Sequence, residues 1–214
     1  MVKVVGIDGS AKRWAIVSLV DGRFAEAAVV TSLTGARPIF AKADAIGIDI
    51  PLTSPTEGKR SAESEARRML TGRSSSVFST PPADVLAEPT YREALALARR
   101  TYGYGISAQA YALRHAIADA RASGLPLHEV HPELSFTRMN GGPSLAKKKS
   151  WAGMQQRLEL LKRVGIVLPA DLGPVGQLPT DDLLDACAAA WTAGRIASGQ
   201  AETVGDESGG YIWI

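Results

Sequence analysis

Four aspartates adjoin apolar segments that are expected to be buried, where water alone would not stabilise a carboxylate. Asp8 and Asp49 each follow a short apolar run with the composition of a buried strand. Asp182 and Asp185 are three residues apart at the start of an apolar stretch, so both project from one face of a helix. A carboxylate among apolar residues is costly unless it is paired or bound to a metal ion. Because oxygen ligands favour Mg²⁺ or Mn²⁺ over Zn²⁺, the four residues together predict a divalent metal site.

The strands that position these acids follow from the pattern of apolar residues and turns. We predict five strands for the main sheet, at residues 2–8, 14–20, 24–31, 45–50 and 127–131, and a short terminal strand at 211–214. Asp21-Gly22 suits a tight turn, so the first three strands form an antiparallel meander. The fourth strand arrives by a crossover and lies parallel to the first, on its free edge. The expected fold class is α/β, with a mixed five-stranded sheet flanked by helices, in which Asp8 and Asp49 end neighbouring strands.

The remaining pattern predicts helices around this sheet, in a single domain of residues 1–214. Their predicted ranges are 37–42, 62–70, 91–101, 108–123, 133–139, 150–164 and 181–196. Residues 52–106 lie in a connection much longer than a minimal crossover and are interpreted as a helical insertion or lid beside the active end. Thr180 is expected to be the N-cap of the last long helix, and Asp181 to stabilise its first turn through the helix dipole.

A second group of candidate catalytic residues closes the predicted fifth strand. Glu129 and His131 fall on the same face of that strand by alternation, and Glu133 follows in the loop. These three side chains could ligate metal, orient a ligand or deprotonate water. Alternatively, Glu133 caps the following helix and His131 bonds to the backbone. The residues alone leave both interpretations open.

Candidate substrate-binding residues lie in two further segments. Arg73, Ser75 and Ser76 carry donor groups that bind phosphate, although an ordinary serine-rich loop has the same composition. Lys147 and Lys148 belong to a run of three lysines just beyond acidic residues. Such a run either forms a solvated face or holds the phosphate backbone of a nucleic acid.

Length and composition exclude several classes of protein. The chain has 214 residues, of which 45% are hydrophobic, so it contains enough apolar material for a core. No apolar run is long enough to span a membrane. The single cysteine, Cys187, excludes an intramolecular disulfide and fits a cytoplasmic protein, and we expect its side chain to be buried. A net charge of +2 is too small to indicate nucleic-acid binding by itself.

Five segments, in this order, resemble the bacterial and archaeal family known as domain of unknown function number 429. They are Gly6-Ile7-Asp8-Gly9 and residues 47–51, 72–78, 129–133 and 181–186. That family is described as predicted nucleases of ribonuclease H-like fold, and the resemblance covers nearly the whole chain. The spacing of Asp182 and Asp185 is also similar to the last helix of Holliday-junction resolvases. The resemblance implies a ribonuclease H-like sheet and a metal-binding role for Asp8, Asp49, Asp182 and Asp185.

The chain departs from these relatives at three places. The resolvases have a glutamate where Asp49 stands, which shifts the metal position slightly. Glu63 stands where the family often has an aspartate paired with an arginine, here Arg60. Ala116 stands where the family often has a lysine.

The activity implied is metal-dependent hydrolysis of phosphodiester bonds in DNA or RNA, with nucleic acid as the partner. Two ions about 3.5–4 Å apart would activate a water and stabilise the leaving oxygen. Asp8 would bridge both ions, with Asp49 on one side and Asp182 and Asp185 on the other. One alternative is a non-catalytic nucleic-acid or ligand-binding module of the same fold. The other is an ATP-dependent phosphotransferase of actin-like fold, since Asp8-Gly9-Ser10 resembles its first phosphate loop, but a second matching half would not fit in 214 residues.

Overall fold

A mixed five-stranded sheet lies at the centre of the computed structural model, which describes residues 1–10, 13–143 and 145–214. Its strands are β1 (Lys3–Ser10), β2 (Arg13–Val20), β3 (Arg23–Val30), β4 (Ala45–Ile48) and β5 (Leu127–Glu129). The strand order is β3-β2-β1-β4-β5. β2 pairs antiparallel with β1 and β3, whereas β4 pairs parallel with β1 and β5. This order, with β2 alone running against the other strands, is the ribonuclease H-like arrangement, so the predicted fold class is confirmed.

Helices cover both faces of the sheet. They are α1 (Ser61–Met69), α2 (Ala83–Ala87), α3 (Tyr91–Tyr102), α4 (Ala108–Ala112), α5 (Arg114–Ala122), α6 (Pro132–Met139), α7 (Trp151–Arg163) and α8 (Thr180–Ala197). On one face, α6, α7 and α8 enclose an apolar core that includes Val17, Phe136 and Leu160. On the other face, α5 and a 3₁₀ helix pack around residues such as Ile7 and Ile117. The central strands β1, β2 and β4 are therefore buried on both sides, whereas the edge strand β3 is partly exposed.

Two predicted helices take a different local form. The predicted helix 37–42 is instead a 3₁₀ helix, Thr34–Phe40, because Pro38 within it lacks the N–H group that a regular α-helix requires. The predicted helix 108–123 is divided into α4 and α5 at Leu113, whose N–H donates to the Ala110 carbonyl three residues earlier. A hydrogen bond of this 3₁₀ type tightens the chain and separates the two α-helical segments.

The first turns of α6 and α8 also differ from the prediction. β5 ends at Glu129, and His131 is the N-cap of α6, because the fixed φ of Pro132 suits the first helical position. Glu133 consequently lies in the first turn of α6 and not in a loop. The N-cap of α8 is Pro179 and Thr180 is the first helical residue, so the prediction that Thr180 is the cap was wrong by one residue.

The predicted insertion, residues 52–106, contains α1, α2, α3 and a short 3₁₀ turn, Ser74–Ser76. Its role as a lid stays a prediction. Near the C-terminus, the predicted last strand is β7 (Gly210–Trp213), and it pairs with β6 (Thr203–Asp206), which the sequence analysis missed. A bridge from Val130 to Trp213 joins this hairpin to the end of β5. None of the helices in the described part of the chain has both the length and the apolar character needed to cross a bilayer.

Candidate metal centre

Asp8 and Asp49 are brought together by two parallel strands in matching register. The Gly-Ile-Asp segments at 6–8 and 47–49 begin with paired glycines and continue with paired isoleucines. The aspartates that follow therefore lie at the same end of the sheet. The Asp49 N–H donates to the Ile7 carbonyl at 2.9 Å and extends the pairing one residue beyond β4.

The helix α8 reaches this end of the sheet because glycines let its backbone lie directly on the strands. A Cβ atom at Gly6 would lie 2.1 Å from the carbonyl oxygen of Ala186. A Cβ atom at Gly47 would lie 2.6 Å from the carbonyl oxygen of Ala189. No larger side chain fits at either position unless the helix moves, and this close packing sets the position of Asp185.

Three carboxylates converge at this point, and we call Asp8, Asp49 and Asp185 the acidic cluster. One carboxylate oxygen from each residue lies within 4.8 Å of the others. Asp8 and Asp185 are 7% and 2% exposed, and Asp49 is partly buried. The Oδ1 atom of Asp185 is buried and has no hydrogen-bond partner among the described residues. An unpartnered buried oxygen is costly, and a metal ion bound by the cluster would satisfy it.

Burial raises the pKa of all three carboxyl groups, and neighbouring carboxylates raise it further. Desolvation is the largest cause for Asp8, and the charges of Asp49 and Asp185 add to it, so its pKa lies well above the ordinary 3.8. Desolvation raises the pKa of Asp49 and of Asp185 to about 7, against the opposing charge of Lys148. Three carboxylates this close ionise together only when cations compensate them. The donor set, all oxygen and all anionic, fits a hard divalent ion.

The acidic cluster lies in a cleft of about 570 Å³. All twelve site residues predicted from the sequence line this cleft: Asp8, Asp49, Arg73, Ser75, Ser76, Glu129, His131, Glu133, Lys147, Lys148, Asp182 and Asp185. The volume is within the range of pockets that bind small molecules or parts of polymers, roughly 300–1,000 Å³. Residues from six different segments of the sequence therefore contribute to one site.

The sequence around this cleft matches a family model over almost its whole length. The model described as Protein of unknown function (DUF429) matches residues 6–209. The chain belongs to the DUF429 family. No curated protein matches the chain.

Two solved structures are similar to this DUF429 protein. One is T. thermophilus RuvC in complex with a Holliday junction substrate, with 14% identity over 93% of this chain and 96% of that chain and a TM-score of 0.42. The other is the Thermus thermophilus RuvC structure, with 15% identity over 92% of this chain and 97% of that chain and a TM-score of 0.44. The order and directions of the strands define the fold.

In this DUF429 protein a lysine side chain contacts the acidic cluster. Lys148 belongs to a segment that we call the lysine loop, residues 145–150. Its Nζ donates to Asp185 Oδ2 at 2.5 Å and lies 3.7 Å from Asp181 Oδ2. Desolvation lowers the pKa of Lys148, but the neighbouring carboxylates outweigh it, those of Asp185 and Asp49 above all, and hold this pKa above the ordinary 10.5. The ammonium group is therefore charged at neutral pH.

The start of α8 brings in one acid that the sequence analysis assigned only to helix stability. Asp181 is four residues before Asp185 on the same helical face, and this spacing was the signal that could have identified it. Asp182, the predicted metal ligand, is partly buried, and desolvation and the charge of Asp181 raise its pKa. Among the described residues, the group of three mutually close carboxylates does not include Asp182. Its role as a metal ligand stays a prediction.

Arginines pair with the two glutamates predicted as catalytic groups. Arg60 donates from Nη1 and Nη2 to the two carboxylate oxygens of Glu129, at 2.7 and 2.8 Å, and lies 3.7 Å from Glu63. Arg157 donates from Nη2 to Glu133 Oε1 at 2.6 Å. All of these side chains are buried. Each glutamate therefore already has a cationic partner within the protein, and the catalytic role of Glu129 and Glu133 stays a prediction.

The remaining predicted residues form hydrogen bonds with the backbone or are exposed. His131 Nε2 lies 3.3 Å from the Ser76 carbonyl oxygen, and burial lowers the pKa of this histidine, so it is neutral at physiological pH. Arg73 donates from Nη2 to the Leu145 carbonyl at 2.6 Å and thereby holds the lysine loop. The side chain of Ser76 donates to the Arg73 carbonyl at 2.8 Å, and Ser75 is exposed. Phosphate binding by these residues stays a prediction.

Proposed function

We propose that the protein is a metal-dependent nuclease that hydrolyses phosphodiester bonds of DNA or RNA. The observation that carries this proposal is the acidic cluster, in which two strand ends and the last helix contribute carboxylates within 4.8 Å of one another. The unpartnered Oδ1 of Asp185 supports it, because a bound cation would satisfy that atom. Mg²⁺ or Mn²⁺ fits the site, since every donor in the cluster is a carboxylate oxygen.

Each part of the cleft has a role in this proposal. A bound divalent ion lowers the pKa of its water and stabilises charge on the leaving oxygen. The acidic cluster holds the ion, and Asp182 supplies a further carboxylate from the first turn of α8. Lys147, Arg73 and Ser75 line the same cleft and carry donors suited to the phosphate groups of a nucleic acid. In the two-ion version predicted from the sequence, Asp8 is the shared ligand.

Nuclease assays with Mn²⁺ or Mg²⁺ test the proposal on single-stranded, duplex and branched DNA and on RNA. Asp8→Asn and Asp185→Asn each remove one ligand and are expected to reduce cleavage at least about 100-fold, the order of effect when a group that stabilises transition-state charge is lost. Asp171→Asn is the matched control, because Asp171 is exposed and its carboxylate accepts the Gly173 N–H of its own turn. This variant should cleave like the wild type.

The outcomes distinguish the proposal from its alternatives. Metal-dependent cleavage that persists unchanged in both Asp8→Asn and Asp185→Asn would refute the assignment of the acidic cluster. Nucleic-acid binding by the wild type without any metal-dependent cleavage would favour a non-catalytic binding module. ATP binding that is lost in Asp8→Asn would favour a phosphotransferase.

A further inference from the structure

Lys148 places a cation of the chain itself at the acidic cluster. Its Nζ lies 2.5 Å from Asp185 Oδ2 and 3.7 Å from Asp181 Oδ2. The two aspartates are four residues apart on α8, so the ammonium group lies against two carboxylates of one helical face. It engages one oxygen of Asp185 and leaves the other, Oδ1, buried and without a partner among the described residues.

Two arginines hold the backbone of the lysine loop. Arg73 donates from Nη2 to the Leu145 carbonyl at 2.6 Å. Arg157 donates from Nη1 to the Ala146 carbonyl at 3.1 Å, and its other terminal nitrogen is paired with Glu133. The start of the loop is therefore bound to Arg73, which lines the cleft, and to Arg157, which is paired with the cleft residue Glu133.

The other end of the lysine loop packs against the start of α7. Ser150 donates to the Lys147 carbonyl from its N–H at 2.8 Å and from its hydroxyl at 2.7 Å. A Cβ atom at Gly153 would lie 2.0 Å from that same carbonyl oxygen, so the helix and the loop are in direct backbone contact. Lys148 thus extends from a backbone held on both sides, unlike a surface lysine that is free to turn into solvent.

The buried charges of the cleft match one divalent ion. Glu129 and Glu133 are each paired with a buried arginine. Glu63, which is also buried in this cleft, lies 3.9 Å from Arg67, so its charge is compensated as well. The acidic cluster, when ionised, carries three negative charges, and Lys148 supplies one positive charge, so two negative charges remain. Asp181 and Asp182 lie at the partly exposed N-terminus of α8, where water and the helix dipole stabilise them. One ion can use the unpartnered Oδ1 of Asp185. A second divalent ion would have to bind Oδ2, which already accepts from the ammonium group, and the two cations at that oxygen would repel each other.

On the basis of the proposed function, we infer that Lys148 takes the place of a second cation, so that the centre binds one divalent ion between Asp8, Asp49 and Asp185. The centre then differs from the two-ion arrangement predicted from the sequence. With an ion held by the acidic cluster, the ammonium group of Lys148 would be placed to stabilise negative charge on a phosphate oxygen, the role that a second ion would otherwise have. Lys148 would therefore act on the substrate phosphate as well as pair with Asp185.

Mn²⁺ binding to the metal-stripped protein tests this inference without a cleavage assay. Calorimetry and the electron paramagnetic resonance signal of free Mn²⁺ both count the bound ions. We expect one ion per wild-type chain and two per chain in Lys148→Met, which keeps an apolar stem and frees the carboxylates of Asp181 and Asp185. Lys148→Arg retains the positive charge and should bind one ion. Lys147→Ala, which removes the same charge from the exposed neighbouring residue, should also bind one.

Other results would overturn the inference in distinguishable ways. Two ions bound by the wild type, or one ion bound by a folded Lys148→Met, would show that Lys148 does not replace a cation. The nuclease proposal would still stand in either case if cleavage depends on Mn²⁺ and on Asp8. A wild type that binds no Mn²⁺ and shows no metal-dependent cleavage would overturn both. Because the count for the wild type is informative by itself, the test does not depend on the folding of any variant.

Discussion

Replacing Gly6 by alanine tests whether the close approach of α8 to the sheet builds the metal centre. The new Cβ would lie 2.1 Å from the Ala186 carbonyl oxygen, against about 3.5 Å for an ordinary contact, so α8 has to move by about 1.4 Å. Overpacking of a core costs about 1–3 kcal/mol, and we expect the upper end because a helix backbone cannot rotate away as a side chain can. Asp185 directly precedes Ala186, so the same movement takes its carboxylate away from Asp8. We therefore expect the Mn²⁺ affinity to fall roughly 10- to 100-fold, as when the support of a metal ligand is lost.

Urea unfolding of the metal-free protein and Mn²⁺ titration measure the two effects of Gly6→Ala. Gly194→Ala is the matched control, since it makes the same substitution on α8, where the nearest atom to the new Cβ is Val4 Cγ2 at 3.9 Å. That contact is ordinary, and alanine within a helix is favoured over glycine by up to about 1 kcal/mol, so the control should be slightly more stable and bind Mn²⁺ as the wild type does. The reasoning is refuted if Gly6→Ala loses less than about 1 kcal/mol and keeps its Mn²⁺ affinity.

Burial and charge lead to three further expectations. The pKa of Asp49 and of Asp185 is about 7 in the folded protein, against the ordinary 3.8. The metal-free folded state therefore holds protons more tightly than the unfolded state. The free energy of unfolding should consequently fall as pH rises from about 4 to about 7. Mn²⁺ competes with those protons and should raise Tm more at about pH 8 than at about pH 5.5; equal increases would contradict this. Glu129→Gln leaves the buried charge of Arg60 incompletely paired and should lower the free energy of unfolding by about 3 kcal/mol in urea, whereas Glu202→Gln, in the exposed pair with Arg138, should cost less than about 1 kcal/mol. Burial raises the pKa of the Cys187 thiol to about 12, so a thiol reagent should modify it only as the protein unfolds, and rapid labelling of the native protein would disprove its burial.

The sheet and the approach of Asp8 to Asp49 could be predicted because their signals are local. Each aspartate ends an apolar run, and the rules for crossovers place the fourth strand on the free edge of the first. The prediction for Asp185 had a different basis, since an acid inside an apolar helix requires a partner. The pattern of apolar residues does not give the distance between α8 and the sheet. That distance depends on Gly6 and Gly47, which in the sequence resemble any other glycines in strands.

The partners of the acids could not be predicted because they come from distant segments. Arg60 and Arg157 have no local feature that marks them as buried, and their burial depends on the glutamates that they meet. Lys148 has the same side chain as Lys147 and Lys149, and only the packing of the lysine loop directs it toward the acidic cluster. The choice between the adjacent acids at the start of α8 depends on the rotation of the helix, which the spacing of charged residues does not fix.

The negative charges of the buried carboxylates in the cleft are balanced in three ways. These differ in how easily a metal ion can take the place of the balancing group. A buried arginine binds both oxygens of Glu129, and losing that arginine would leave a buried charge unpaired. A single ammonium group binds one oxygen of Asp185 and leaves the other available. For Asp8 and Asp49, no ion pair occurs within the described part of the chain. A buried acid without a cation either keeps its proton or binds a metal ion. Asp8 and Asp49, at the two strand ends, are therefore the carboxylates that require a metal ion. When the metal is removed, these two carboxylates should be the first to take up protons.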